Sequence, residues 1–158
     1  MKNKRGYLEI SFGMIFTIIL IIAFIAFAFY AIQKFIFFQK DSQYRLFLED
    51  FKSDVDKMWK TTSGSQEVSY RLPSSIKQVC ITRSCSDLGF EYNCYSPDDN
   101  LVFNSSKNNF ESTYISNLDI EKILGSKKVY CFDVIDNQVS MTLIKEYNSD
   151  KVLVLKIK

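Results

Sequence analysis

Apolar and polar residues follow three different patterns along this chain, and each predicts a different element. From Phe12 to Ile32 the sequence FGMIFTIILIIAFIAFAFYAI carries no charge at all. A run of about twenty such residues, rising about 1.5 Å each as a helix, matches the roughly 30 Å hydrocarbon core of a bilayer. A buried core helix is the other reading, but the remaining chain is too short to wrap a helix that is apolar on every face. Past Gln33-Lys34 the apolar character continues through Phe35-Ile36-Phe37-Phe38, an aromatic girdle suited to a membrane interface.

The period then changes. Tyr44, Leu48, Phe51, Val55 and Met58 recur at alternating helical spacings, with Phe47 and Trp59 alongside and charged residues between. That predicts an amphipathic stalk helix with one buried stripe, ended by Thr61-Thr62-Ser63-Gly64-Ser65. No Gly or Pro separates it from the apolar run, so one helix of about fifty residues is expected. Lys52–Asp56 and Asp56–Lys60 have the spacing of helical ion pairs. The stripe suits packing on its own domain better than a coiled coil, because it is too short for three or four heptads.

From Glu67 onward short β-rich runs alternate with turn residues. Strands are expected at Val68–Leu72, Ile76–Thr82, Phe90–Tyr95 and Leu101–Phe103, with Ser96-Pro97-Asp98-Asp99-Asn100 as a turn and Ser105–Asn109 as a polar loop. Asp119–Leu124 suits a short helix closed by Gly125. Lys128–Ile135, Val139–Tyr147 and Val152–Ile157, joined by short turns, predict an antiparallel meander.

Cysteine placement adds a compartment. Cys80, Cys85, Cys94 and Cys131 all lie beyond the apolar run, and a small domain outside the membrane benefits from disulfides. Of the three possible pairings, Cys80–Cys131 with Cys85–Cys94 is favoured, since QVCIT and VYCFD read as similar, neighbouring strands. A four-cysteine zinc site is disfavoured by the spacing, which has no close C-x₂-C pair. Asn104-Ser105-Ser106 is a candidate glycosylation sequon. Asp98-Asp99-Asn100 offers oxygen ligands for calcium but reads more simply as a turn.

Composition narrows the function. The chain has 158 residues and a formal charge of +2, too little to argue for nucleic acid. It contains no histidine, which removes Ser-His-Asp and Cys-His catalysis, His-ligated metals and histidine pH switching. No Gly-rich phosphate loop or marked carboxylate pair is present, and neither a cofactor nor an enzymatic activity is expected. The cations Lys2, Lys4 and Arg5 precede the apolar run and favour a cytoplasmic N-terminus.

The segment Lys4-Arg5-Gly6 followed by Tyr7-Leu8-Glu9-Ile10-Ser11-Phe12 and the apolar helix resembles the class III signal peptide of archaeal type IV pilin-like proteins. The resemblance covers about residues 4–32. It implies cleavage after Gly6 on the cytoplasmic side, with Arg5, Gly6 and Tyr7 as the processing site and the helix retained as filament core or anchor. In that family a Glu fifth after the cut meets a neighbouring subunit's N-terminus. Here Glu9 is third and Ser11 fifth, so Glu9 is the candidate assembly contact at a shifted position. An uncleaved signal anchor is the alternative.

Together these patterns predict an α+β fold, a long N-terminal helix packed on a small antiparallel sheet in a pilin-like lollipop. Residues 1–6 form a basic leader, 7–38 a transmembrane helix, 39–62 the stalk and 63–158 a disulfide-stapled, β-rich ectodomain. The expected function is a non-catalytic, single-pass surface subunit in the cell membrane with its C-terminal domain outside. Its expected partners are the bilayer and proteins met through the membrane helix or ectodomain, including other copies of itself. The alternatives are a tethered ectodomain that binds a ligand or partner, with a pocket lined by Tyr92, Tyr95, Phe103 and Phe110, and more remotely a Ser/Lys hydrolase.

Overall fold

The computed structural model describes residues 12–85, 88, 94–106 and 110–157. The chain divides into two compact units, Met1–Gln39 and Lys40–Lys158. Helix α1 (Phe12–Trp59) runs for 48 residues, and its part from Lys40 onward belongs to the second unit. There it is joined by strands β1 (Gly64–Arg71), β2 (Ile76–Thr82), β3 (Leu101–Ser105), helix α2 (Ile120–Leu124), β4 (Val129–Asp133), β5 (Gln138–Lys145) and β6 (Val152–Lys156).

The fold is α+β, with the helix packed on small antiparallel sheets. Phe47, Phe51, Val55 and Met58 form the buried stripe of α1, with Tyr44 and Leu48 partly buried beside it. The stripe packs within its own unit. Phe47 meets Tyr70 of β1 edge-on at 5.4 Å and Phe103 of β3 at 5.8 Å. Each fully buried apolar side chain stabilises by roughly 1.5–3 kcal/mol, so this contact is a large share of a small domain's stability. Polar bonds fix its register: Tyr70 donates to Asp54 at 2.9 Å, Asn117 donates to Asp56 at 3.0 Å, and Trp59 Nε1 donates to the Asp150 carbonyl at 2.8 Å. The ion pairs on α1 are Asp41–Arg45 and Asp54–Lys57, not the Lys52–Asp56 and Asp56–Lys60 pairs expected from spacing. Asp56 turns toward Asn117 instead.

The meander is corrected. β4, β5 and β6 do not form one sheet; the strands make two three-stranded sheets ordered β1-β5-β6 and β3-β2-β4. Asp136 and Asn137, both at positive φ, build the expected tight turn, and Ile135 and Gln138 exchange both backbone bonds at 2.9 Å. The ladder stops there. Asn137 gives its carbonyl to Leu72, β5 continues against β1, and β4 continues against β2. The β1–β2 corner carries Pro73, which has no N–H to extend a ladder, so both connections cross between sheets at one corner. Phe132 then faces the core from one sheet and Val139 from the other.

Helix α2 forms where its caps predict. Asp119 accepts from the Lys122 N–H at 3.2 Å, and Gly125, at φ +56°, donates to the Glu121 carbonyl at 2.8 Å. The expected Phe90–Tyr95 strand lies mostly outside the described residues.

Candidate functional site

In the first unit, every large apolar side chain from Phe12 to Phe38 is exposed, by 40% to 84%. The helix is long and apolar enough there to cross a membrane, and none of the apolar stretch is buried in protein. Two of its polar groups interact locally. Thr17 donates to the Met14 carbonyl at 2.9 Å, and Lys34 sits over the Tyr30 ring, 5.7 Å from its centroid. The processing residues Arg5, Gly6 and Tyr7 and the assembly candidate Glu9 lie outside the described residues.

In the second unit the cysteines pair as Cys80–Cys131 and Cys85–Cys94. Cys80 and Cys131 stand directly opposite each other on β2 and β4, 4.0 Å apart at Cα. On the outer side of that sheet, Cys80, Cys85 and Val102 form a small second core.

The Asp98-Asp99-Asn100 segment is a turn in which the Asp99 and Asn100 side chains are engaged by protein, while Asp98 is exposed. Asp99 is buried and accepts from the Ser96 N–H and the Ser112 hydroxyl. Asn100 exchanges two 2.8 Å bonds with the Ile115 backbone. These side chains tie the turn to the 110–115 segment. Among the described residues no group of His, Cys, Asp and Glu side chains is placed to hold a metal ion.

The expected aromatic pocket is not formed by its described members. Phe103 and Phe110 are buried and pack their rings 5.1 Å from Tyr44, while Tyr95 is 77% exposed; Tyr92 lies outside the described residues. Burial pushes the Tyr44 hydroxyl well above its ordinary pKa; the hydroxyl donates to the Glu111 carbonyl.

Asn104 is half-buried on β3, which runs two residues past the expected Phe103 and takes in Ser105, the expected start of the polar loop. It begins a polar ladder across the sheet that the linear sequence does not reveal. Asn104 Nδ2 lies 3.5 Å from Gln78 Oε1, Gln78 donates to Asp133 at 2.8 Å, and Lys156 of β6 reaches the same carboxylate at 3.4 Å. The Gln78 bond, and secondarily the Lys156 charge, hold the Asp133 carboxyl below its usual range. Asp133 and Lys156, with Phe132, Ile135 and Gln138, line an open cleft of about 390 Å³.

A second feature missed by sequence reading is the outer edge of β1. Ser65, Glu67, Ser69 and Arg71 are exposed there, and among the described residues β5 is the strand's only sheet neighbour. No family model, curated protein or solved structure matches this chain.

Proposed function

We propose that the chain is a single-pass, membrane-anchored surface protein acting as a pilin-like structural or interaction subunit without catalysis. One observation carries this reading: an apolar helical segment whose large side chains are exposed along its whole length. Such a surface is costly in water and matches a lipid environment. The N-terminus lies in the cytoplasm and the second unit outside the cell. The two disulfides fit this orientation, because oxidised cysteines persist outside the cytoplasm.

In this reading a prepilin-type peptidase cuts between Gly6 and Tyr7 and leaves the helix in place. The shifted position of Glu9 favours a second version, an uncleaved anchor that tethers a partner-binding domain. Mass spectrometry of the N-terminal residue, on protein purified from its native membrane, separates the two. A chain starting at Tyr7 supports processing, and a chain starting at Met1 or Lys2 supports the plain anchor. Recovery in the soluble fraction would overturn both.

A further inference from the structure

The edges of the two sheets are not alike. β3 is partly covered, since Leu101 and Thr113 exchange backbone bonds at 3.0 Å. On β6, Val152 pairs with Asn117 and Asp119, and the Lys156 N–H donates to the Tyr130 hydroxyl. β1 is an edge of eight residues without a bulge or proline. Its register with β5 fixes which groups face outward. Leu72 continues that register and donates to Asn137 at 2.8 Å. By the alternation of an antiparallel ladder, Tyr70, Val68 and Gln66 also bond to β5. Ser65, Glu67, Ser69 and Arg71 therefore point their N–H and C=O groups away from the sheet, and no other described residue bonds to them. Natural proteins usually blunt such an edge with charged side chains, a proline or a bulge, and here only charges of opposite sign, Glu67 and Arg71, stand on it.

We propose that the β1 edge is a self-association surface that pairs antiparallel with β1 of a second copy about a two-fold axis at Ser69. The charges select the copy and the register. Glu67 and Arg71 are exposed, and neither has an ion-pair partner among the described residues. With Ser69 opposite Ser69, Glu67 of each copy falls opposite Arg71 of the other. All of these residues carry outward-facing backbone groups, so the register forms about six new backbone bonds in three bonded pairs. Centring the pair on Glu67 would instead oppose two carboxylates, which is destabilising. The product is a continuous six-stranded sheet with a self-complementary, isologous contact. This inference goes beyond the anchored-subunit reading and holds whichever way the chain faces a membrane.

The test is the protein mass of the full chain in detergent, by size exclusion with light scattering, for wild type, E67R, R71E and the E67R/R71E double variant. The pairing predicts a wild-type dimer. Each single variant weakens it at least about tenfold, because the two-fold turns both attractions into repulsions, and the double swap restores it. Amide hydrogen exchange at Glu67, Ser69 and Arg71 should be slow in the wild type and fast in E67R, with core amides unchanged in both. A monomeric wild type overturns the proposal. So does an association that survives the single substitutions, as one made by the apolar helix would, or a double variant that stays monomeric.

Discussion

The Tyr70 hydroxyl donates to the Asp54 carboxylate at 2.9 Å, joining β1 to α1 beside the ring contacts of Phe47 and Phe51. The bond and the rings are separable in energy. Tyr70→Phe keeps the rings and leaves Asp54 its ion pair with Lys57 at 3.0 Å, so it should cost about 1 kcal/mol. Phe51→Ala empties a fully buried position and should cost about 3–5 kcal/mol. Urea unfolding of the two variants in detergent, followed by near-UV circular dichroism, gives the comparison. Equal losses would mean that the hydroxyl bond holds the helix to the sheet as strongly as the buried ring does.

Alkali should weaken the same contact. Burial first, and then the Asp54 bond, push the Tyr70 hydroxyl well above its ordinary 10.0, and burial does the same at Tyr44. A folded-state pKa raised above the unfolded value contributes stability that is fully present below pH 10 and is lost as pH rises through the folded value. Above pH 10 the unfolded chain releases protons that the folded chain keeps, so stability falls by at most about 1.4 kcal/mol per pH unit for each tyrosine. Tyr70→Phe, measured between pH 9 and 11, should flatten that decline. An unchanged slope would show that Tyr70 ionises as freely folded as unfolded.

The two disulfides should differ in weight. Cys80–Cys131 closes a sequence separation of 51 residues and Cys85–Cys94 one of 9. Loop-closure entropy gives about 4 and about 3 kcal/mol respectively. Replacing both cysteines of a pair by alanine should therefore lower the unfolding midpoint more for the first pair. Non-reducing peptide mapping should recover Cys80 linked to Cys131; four free thiols would contradict both the pairing and an extracellular second unit.

What could be read in the sequence was what is local. The spacing of three and four from Tyr44 to Met58 gave the buried stripe. Ile76–Thr82 was bounded by Pro73-Ser74-Ser75 before it, and α2 was marked by Asp119 and Gly125. β1 begins at Gly64 rather than near Val68, because its first four residues are exposed and carry no alternation to read. The meander failed for a different reason. A tight turn at Asp136-Asn137 predicts that two strands meet but not how far they stay paired, and β4 belongs beside β2, far back in the chain. The one clue was the likeness of the strands around Cys80 and Cys131. The Asn104–Gln78–Asp133 ladder and the open β1 edge depend on strand order, which local pattern does not contain.

The anchor reading makes the sharpest demand on Ile25, near the middle of the exposed apolar stretch. Arginine at the centre of a spanning helix costs about 2.5–3.5 kcal/mol of insertion free energy, and the lost isoleucine adds a few tenths. A segment with so many other apolar residues can absorb part of that, so Ile25→Arg should reduce the membrane-inserted fraction rather than abolish it. Ile135→Arg is the matched control. Ile135 is 71% exposed in the second unit, where arginine meets water at little cost. Carbonate extraction of membranes expressing each variant reads the difference. If the apolar stretch spans the bilayer, Ile25→Arg should shift protein into the extract while Ile135→Arg stays with the pellet. If the two behave alike, Ile25 does not sit at the centre of a spanning helix.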